Sequence, residues 1–181
     1  MIVARAFALA AVIGLAACIA GPRGNARVPQ PNKAVELNRY LGRWYELGRY
    51  EASFERGCEG VTADYAQRPD GQISVLNTCR QGGVDGRARA AKGRAKIVAG
   101  SNGAKLKVSF FGPFFGDYWV LDHADDYSWS IVGEPSGRYL WILSRDPAPG
   151  EAAYAELVGR ARAMGYDVTM IRRTRQPPVG P

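Results

Sequence analysis

Between residues 42 and 145 apolar and polar residues alternate in short segments, each ended by Gly, Pro, Asn, Asp or Ser. Alternation of period two places successive side chains on opposite faces of a strand, and segments recurring about every ten residues with turn residues between them point to an all-β sandwich or barrel. The candidate strands cover residues 42–50, 58–67, 72–80, 86–98, 104–111, 117–123, 126–133 and 138–145. Arg68-Pro69-Asp70-Gly71 suits a hairpin turn between the second and third, because proline presets φ and glycine accepts a positive one. Folding about that turn brings Cys58 within a residue or two of opposite Cys79, close enough for a disulfide unless the register slips. After the strands, Tyr154, Leu157, Val158, Ala161 and Met164 fall at helical spacing, so one amphipathic helix is expected to lay its stripe on the outer wall of the sheet. A strand from Val168 to Thr174 follows, and then a polar tail.

The first residues set the compartment. MIVARAFALAAVIGLAAC carries one charge, Arg5, and then an apolar run with the length of a secretory h-region, too short to span a bilayer comfortably. Leu15-Ala16-Ala17-Cys18 resembles the lipobox of bacterial lipoproteins, in which the cysteine is lipidated and the chain is cut before it. The absence of Asp at position 19 resembles an outer-membrane address. Residues 19–36, rich in Pro, Gly and polar groups, read as a tether able to hold the domain tens of ångströms from the membrane. The expected organisation is a signal peptide at 1–17, a lipidated tether at 18–36, a barrel domain at 37–176 and a tail at 177–181. Assigning Cys18 to lipid leaves Cys58 and Cys79 as an even pair in an oxidising compartment, for which a disulfide is the economical reading. Without residues 1–17 the chain has 23 basic and 17 acidic residues, a net charge of 23 − 17 = +6. The basic residues are scattered, and no nucleic-acid motif accompanies them.

Eight strands, one helix and a short last strand, together with three local motifs, resemble a lipocalin. Gly42-Arg43-Trp44-Tyr45-Glu46 is similar to the family's G-x-W on the first strand. Asp126-Tyr127 is similar to its T-D-Y turn, with Asp125 where Thr is usual. Tyr139-Leu140-Trp141-Ile142-Leu143-Ser144-Arg145 is similar to its last barrel strand, ending in the arginine that lies over the first-strand tryptophan. Phe54-Glu55-Arg56-Gly57 and Val108-Ser109-Phe110-Phe111-Gly112-Pro113-Phe114 bring the resemblance closer to the bacterial outer-membrane lipocalins.

The resemblance implies an eight-stranded antiparallel up-and-down barrel closed by Trp44 and Arg145, lipid attachment at Cys18, and no catalysis, metal or cofactor. Carrying the family's strand parity onto this chain puts Glu46, Gly48 and Tyr50 inside with Trp44. The ligand-binding set it implies is Tyr50, Ala63, Tyr65, Val75, Asn77, Val108, Phe110, Tyr118, Tyr139 and Trp141. Within it, Tyr50, Asn77 and Tyr118 are available to hydrogen-bond a head group. The implied ligands are fatty acids or lysophospholipids. The other expected partner is the membrane, through the anchor at the periplasmic side of the outer membrane; nucleic acid is not expected, and a homodimer is left open.

Three other readings stand beside this one. The inward aromatics could interdigitate and leave a surface scaffold with a filled barrel. A rare lipocalin isomerase uses a cavity thiol, a case that would need Cys58 and Cys79 reduced and inward. Arg87–Lys96 (RARAAKGRAK) could dock anionic head groups or form a polar outer face. The single His123, expected in a turn beside Asp122, Asp125 and Asp126, lacks the partners and spacing of a zinc or calcium site.

Overall fold

The computed structural model describes residues 23–178, so the expected signal peptide and Cys18 lie outside the described residues. A single helical turn, α1 (Leu37–Tyr40), leads into β1 (Gly42–Tyr50), β2 (Cys58–Gln67), β3 (Ile73–Gln81), β4 (Arg87–Ile97), β5 (Lys105–Phe111), β6 (Phe114–His123), β7 (Trp129–Gly133) and β8 (Leu140–Ser144). Helix α2 (Glu151–Ala163) and β9 (Ile171–Arg173) complete the described chain. Consecutive strands pair antiparallel, and β1 pairs with both β2 and β8, which closes eight strands into a barrel. The β2–β3 turn forms where Pro69 and Gly71 direct it, with the Arg68 carbonyl accepting from Gly71 N–H at 3.0 Å. Strand β7 begins three residues later than its alternation suggests. Tyr127 takes φ +62°, and the Asp126 carboxylate accepts the Ser128 N–H at 2.9 Å, so residues 126–128 are turn.

The turns after β2, β4, β6 and β8 gather with α1 at one end of the barrel, and those after β1, β3, β5 and β7 at the other. Trp44 and α1 close the first end; the second is open. Outside the wall, α2 covers a layer of apolar residues as its stripe requires. Leu157 packs with Leu47 and Ile142, while Ala161 packs with Leu121, Ile131 and Leu140.

The segment expected to be a tether is instead held to the barrel from Gly24 onward. Gly24 and Asn25 donate to the Gly137 carbonyl at 3.0 and 3.2 Å, Asp167 N–H donates to the Gly24 carbonyl at 2.7 Å, and Val35 N–H donates to the Asn102 carbonyl at 2.9 Å. Gly24 lies against Tyr50 so closely that a Cβ there would sit 2.1 Å from the ring. Lys33 reaches Asp125 at 2.5 Å, and Val35 is buried. Residues 24–36 therefore run down the outside from the open end to the closed one, and no free spacer tens of ångströms long exists within them.

Strand β1 separates from β2 after Tyr45 pairs with Thr62. Beyond that point β9 and the residues after it fill the seam. Thr174 N–H donates to the Leu47 carbonyl at 3.0 Å and Gly60 N–H to the Arg175 carbonyl at 2.7 Å. The Gln176 amide bridges the Glu46 and Val61 carbonyls, at 2.7 and 3.0 Å.

Candidate ligand-binding site

The floor is built first, because it fixes how deep a ligand can go. Trp44 is fully buried and donates Nε1–H to the Tyr40 carbonyl at 2.8 Å. The Arg145 guanidinium lies over its ring, 3.8 Å from the centroid. Three more rings sit above: the Tyr118 hydroxyl is 3.0 Å from that of Tyr40 and 3.1 Å from that of Tyr65, and Tyr40 also meets the Ser130 hydroxyl at 3.1 Å. Burial pushes the Tyr40 hydroxyl up to about 12 and raises those of Tyr65 and Tyr118 as well, so all three keep their protons and serve as donors to one another. What space remains here, between Leu41, Ile73, Ala95, Leu106 and Val108, is about 10 Å³, room for about one water. Tyr65 and Tyr118 thus face the lumen as expected, but as parts of the floor. The Tyr118 hydroxyl is engaged by two others and is not free for a head group.

Above the floor the inward side chains are less completely covered. Val61 and Val75 are buried in the lumen wall, whereas Ala63, Asn77, Val108, Phe110, Tyr139 and Trp141 keep partial exposure, the exposure of side chains lining an open cup. Across from Asn77, β4 contributes Ala91, with Gly93 and Ala95 below it. Ala91 and Gly93 add little bulk to this wall, and Gly93 also lets Phe110 pack across, since a Cβ there would meet its ring at 2.8 Å. Tyr139 stacks on Trp141, with centroids 5.7 Å apart, and Phe54 from the turn after β1 packs on Tyr139 at 5.8 Å.

Polar groups enter the cup near its mouth. Glu55, on the same turn, accepts from Trp141 Nε1–H at 3.0 Å. Burial, with the Glu46 carboxylate nearby, raises the Glu55 carboxyl to about 8. Fully buried Arg49 pairs with Glu46 at 2.7 Å and donates to the Glu55 carbonyl at 3.0 Å and the Cys58 carbonyl at 3.2 Å; Thr174 donates its hydroxyl to Glu46. The Asn77 Oδ1 is buried and accepts no hydrogen bond from the protein, an expensive arrangement unless a donor arrives from elsewhere.

Tyr50 is the one expected ligand residue that the structure removes from the lumen. A β-bulge between Glu46 and Gly48 inserts a residue and reverses the parity beyond it. Gly48 faces Ile171 and Tyr154 on the outside, Arg49 takes the inner position, and Tyr50 joins the outer cluster with Leu140 and Tyr166. There its hydroxyl donates to the Asp167 carbonyl at 2.9 Å. A glycine inside a strand is itself a bulge signal, so Gly48 was the mark in the sequence that simple alternation passes over. Arg49 and Glu55, which the ligand-binding set leaves out, left no comparable mark.

Cys58 and Cys79 are joined in a disulfide with Cα atoms 5.4 Å apart, so neither offers a thiol to the cup. His123 is buried, stacked on Tyr127 at 4.4 Å, and its ring nitrogens lie 2.7 and 3.0 Å from the Ala124 and Ala34 carbonyl oxygens, which ties down the N-terminal segment. Among the described residues no three His, Cys, Asp or Glu converge as a metal site.

This geometry has relatives. Residues 35–176 match the lipocalin-like domain family. The chain is 41% identical over 148 residues to the outer membrane lipoprotein Blc of Vibrio cholerae, covering 81% of this chain and 86% of that protein. It is 39% identical over 158 residues to the protein of the same name in Escherichia coli K12, covering 82% and 87%, and 32% identical over 164 residues to mouse apolipoprotein D, covering 84% and 83%. Among solved structures, insecticyanin from the tobacco hornworm superposes with a TM-score of 0.67 at 18% identity, over 86% of this chain and 88% of that one. That likeness speaks for the fold alone.

Proposed function

The chain belongs to the lipocalin family, and from that premise we propose that it is a lipid-anchored carrier or scavenger of a single-chain amphiphile, a fatty acid or a lysophospholipid, held in the upper half of the barrel. It is a binding protein, and no step of bond making or breaking belongs to its action. The observation that carries the ligand class is the cup itself: apolar walls at Val61, Ala63, Val75, Val108 and Trp141 above a sealed floor, with the unpartnered Asn77 Oδ1 inside and Glu55 and Arg49 towards the mouth. Such a site suits a hydrocarbon chain below and a polar head above. From Val75 to Gln81 the strand advances ~20 Å, or ~15 Å along the axis of a barrel whose strands tilt ~40°. A long acyl chain therefore fills the cup and leaves its head at the rim.

Lipidation of Cys18 and an outer-membrane location, facing the periplasm, are part of this reading. The lipobox-like sequence supports them, as does the likeness to two proteins named outer membrane lipoproteins. Mass spectrometry of the mature amino-terminal peptide should find Cys18 acylated with residues 1–17 removed, and an unmodified Cys18 thiol would refute the anchor. For the ligand, titration with a fluorescent fatty acid should saturate at one site with micromolar or tighter affinity, and lipid extracted from natively purified protein should contain a single-chain amphiphile. The second reading, a filled scaffold, draws on the packed tyrosine floor; it is favoured if neither experiment finds lipid.

A further inference from the structure

Three of the four large hydrophobic side chains left exposed among the described residues stand at one end of the barrel: Phe54 at 60%, Phe111 at 80% and Phe114 at 79%. Phe54 lies on the turn after β1, and the two others flank the β5–β6 turn. That end is the open mouth. Beside them stand Arg56, Arg87 and Arg89, all exposed, on the turn after β1 and on the first residues of β4. Strand β4 pairs with β5 only from Arg94 onward, so this arginine-bearing stretch rises above the shorter β5–β6 hairpin as a free edge. Charges on such an edge discourage pairing with another sheet, which disfavours a second copy of this positively charged chain as the occupant. Aromatic tips set among arginines fit a surface that is apolar beneath and anionic at its boundary.

An independent constraint comes from the chain before the barrel. It enters the described structure at the open end, where Gly24 is bonded to Gly137 on the turn after β7. From Cys18 to Arg23 is five residues, 23 − 18, a reach of at most ~18 Å at ~3.6 Å per residue. Acyl chains on Cys18 would hold the mouth, and not the closed floor, within that distance of the bilayer.

We propose that the open end is a membrane-docking face: Phe111, Phe114 and Phe54 enter the boundary region of a phospholipid bilayer, Arg56, Arg87 and Arg89 engage anionic head groups, and the cup opens directly onto the lipid. The anchor argument rests on the lipidation reading given above; the exposed phenylalanines and arginines do not.

Two experiments keep these apart. In the first, the Cys18→Ser protein, which has no acyl anchor, is sedimented with vesicles of phosphatidylcholine containing one quarter phosphatidylglycerol. It should bind, Phe111→Ser with Phe114→Ser should lower the partition ~10-fold or more without shifting the melting temperature, and Arg87→Glu with Arg89→Glu should abolish the preference for the anionic lipid. In the second, the acylated protein is reconstituted into the same vesicles with a polarity-sensitive dye on Phe114→Cys or, at the closed end, Gln67→Cys. The dye at 114 should shift to the blue and be quenched by brominated lipid, and the dye at 67 should do neither. Failure of the Cys18→Ser protein to bind, binding indifferent to the phenylalanines, or equal signals from both dyes overturns the proposal. Binding to a soluble polyanion as strong as to vesicles overturns it in favour of a purely ionic partner.

Discussion

The Arg145 guanidinium, 3.8 Å from the centroid of the Trp44 ring, also donates to the carbonyls of Arg43, Tyr40 and Leu41 at 2.5, 3.1 and 2.8 Å. One side chain thus caps the tryptophan and satisfies the end of α1, whose last carbonyls have no partner within the helix. Trp44→Ala is expected to cost ~3–5 kcal/mol as a large core truncation. Arg145→Ala should cost ~1–3 kcal/mol, through the lost cation contact and the lost charge-assisted bonds. Thermal melts of the two variants decide it: both must fall, Trp44→Ala further.

The Cys58–Cys79 bond ties the open ends of β2 and β3, across 21 residues of chain. Replacing both cysteines with alanine should lower stability by ~2–4 kcal/mol, read as an earlier midpoint in denaturant, while the barrel still forms because strand pairing does not depend on the bond. Peptide mapping without reductant should recover the two residues linked.

Ligand binding should follow the inner face as the bulge sets it. Ala63→Trp or Val75→Trp adds bulk where the proposed acyl chain would sit and should abolish fatty-acid binding, with circular dichroism establishing that each variant is folded. Tyr50→Phe should leave affinity unchanged and cost ~1 kcal/mol of stability, since its hydroxyl serves the outer layer. A fluorescent fatty acid titrated against all three tests the assignment. Loss of affinity in Tyr50→Phe, or none in the tryptophan variants, contradicts it.

Glu55 gives the barrel a pH dependence of unusual sign for a carboxylate. Its folded value of about 8 stands above an ordinary glutamate's 4.5, so between those values the folded chain holds a proton that the unfolded chain has released. Stability contributed by this group is complete below pH 4.5 and falls as pH rises towards 8. Carboxylates such as Glu59, held low by the Arg175 backbone N–H and by Arg172, act at lower pH and in the opposite direction. Denaturant midpoints from pH 5 to 8 should therefore decline in the parent and flatten in Glu55→Gln. Below about 8 the protonated group can also donate to an anionic head group, so fatty-acid affinity should weaken above that pH more in the parent than in Glu55→Gln.

Much of this barrel is legible in the sequence. The alternation and the turn residues give all eight strands nearly in place, and α2 shows its stripe because its outer layer is apolar. Ala63, Val75, Asn77, Val108, Phe110, Tyr139 and Trp141 fall on the lumen side, where the family's strand parity carried onto this chain places them. Tyr50 did not, because one inserted residue reverses every later position on a strand. Arg49 and Glu55 stayed hidden since a charged residue on a strand or turn ordinarily faces water, and only the fold brings them to a buried partner. Residues 24–36 read as a linker because docking through backbone carbonyls leaves no signature in side chains. Val35 and Asn25, both buried, were the faint exceptions.

The seam between β1 and β2, filled by Thr174 to Gln176, bears on the order in which the molecule can be completed. The contacts there join residues as far apart as Gln176 and Glu46, a separation of 130, almost the longest the domain allows. Loop closure over such a distance is slow compared with forming the neighbouring hairpins. During synthesis or passage across a membrane, amino terminus first, the eight strands can pair into a split cylinder, but the slit stays unfilled until the final stretch arrives. The slit between β1 and β2 is therefore the last part of the barrel to close, and it closes only with the final residues of the domain.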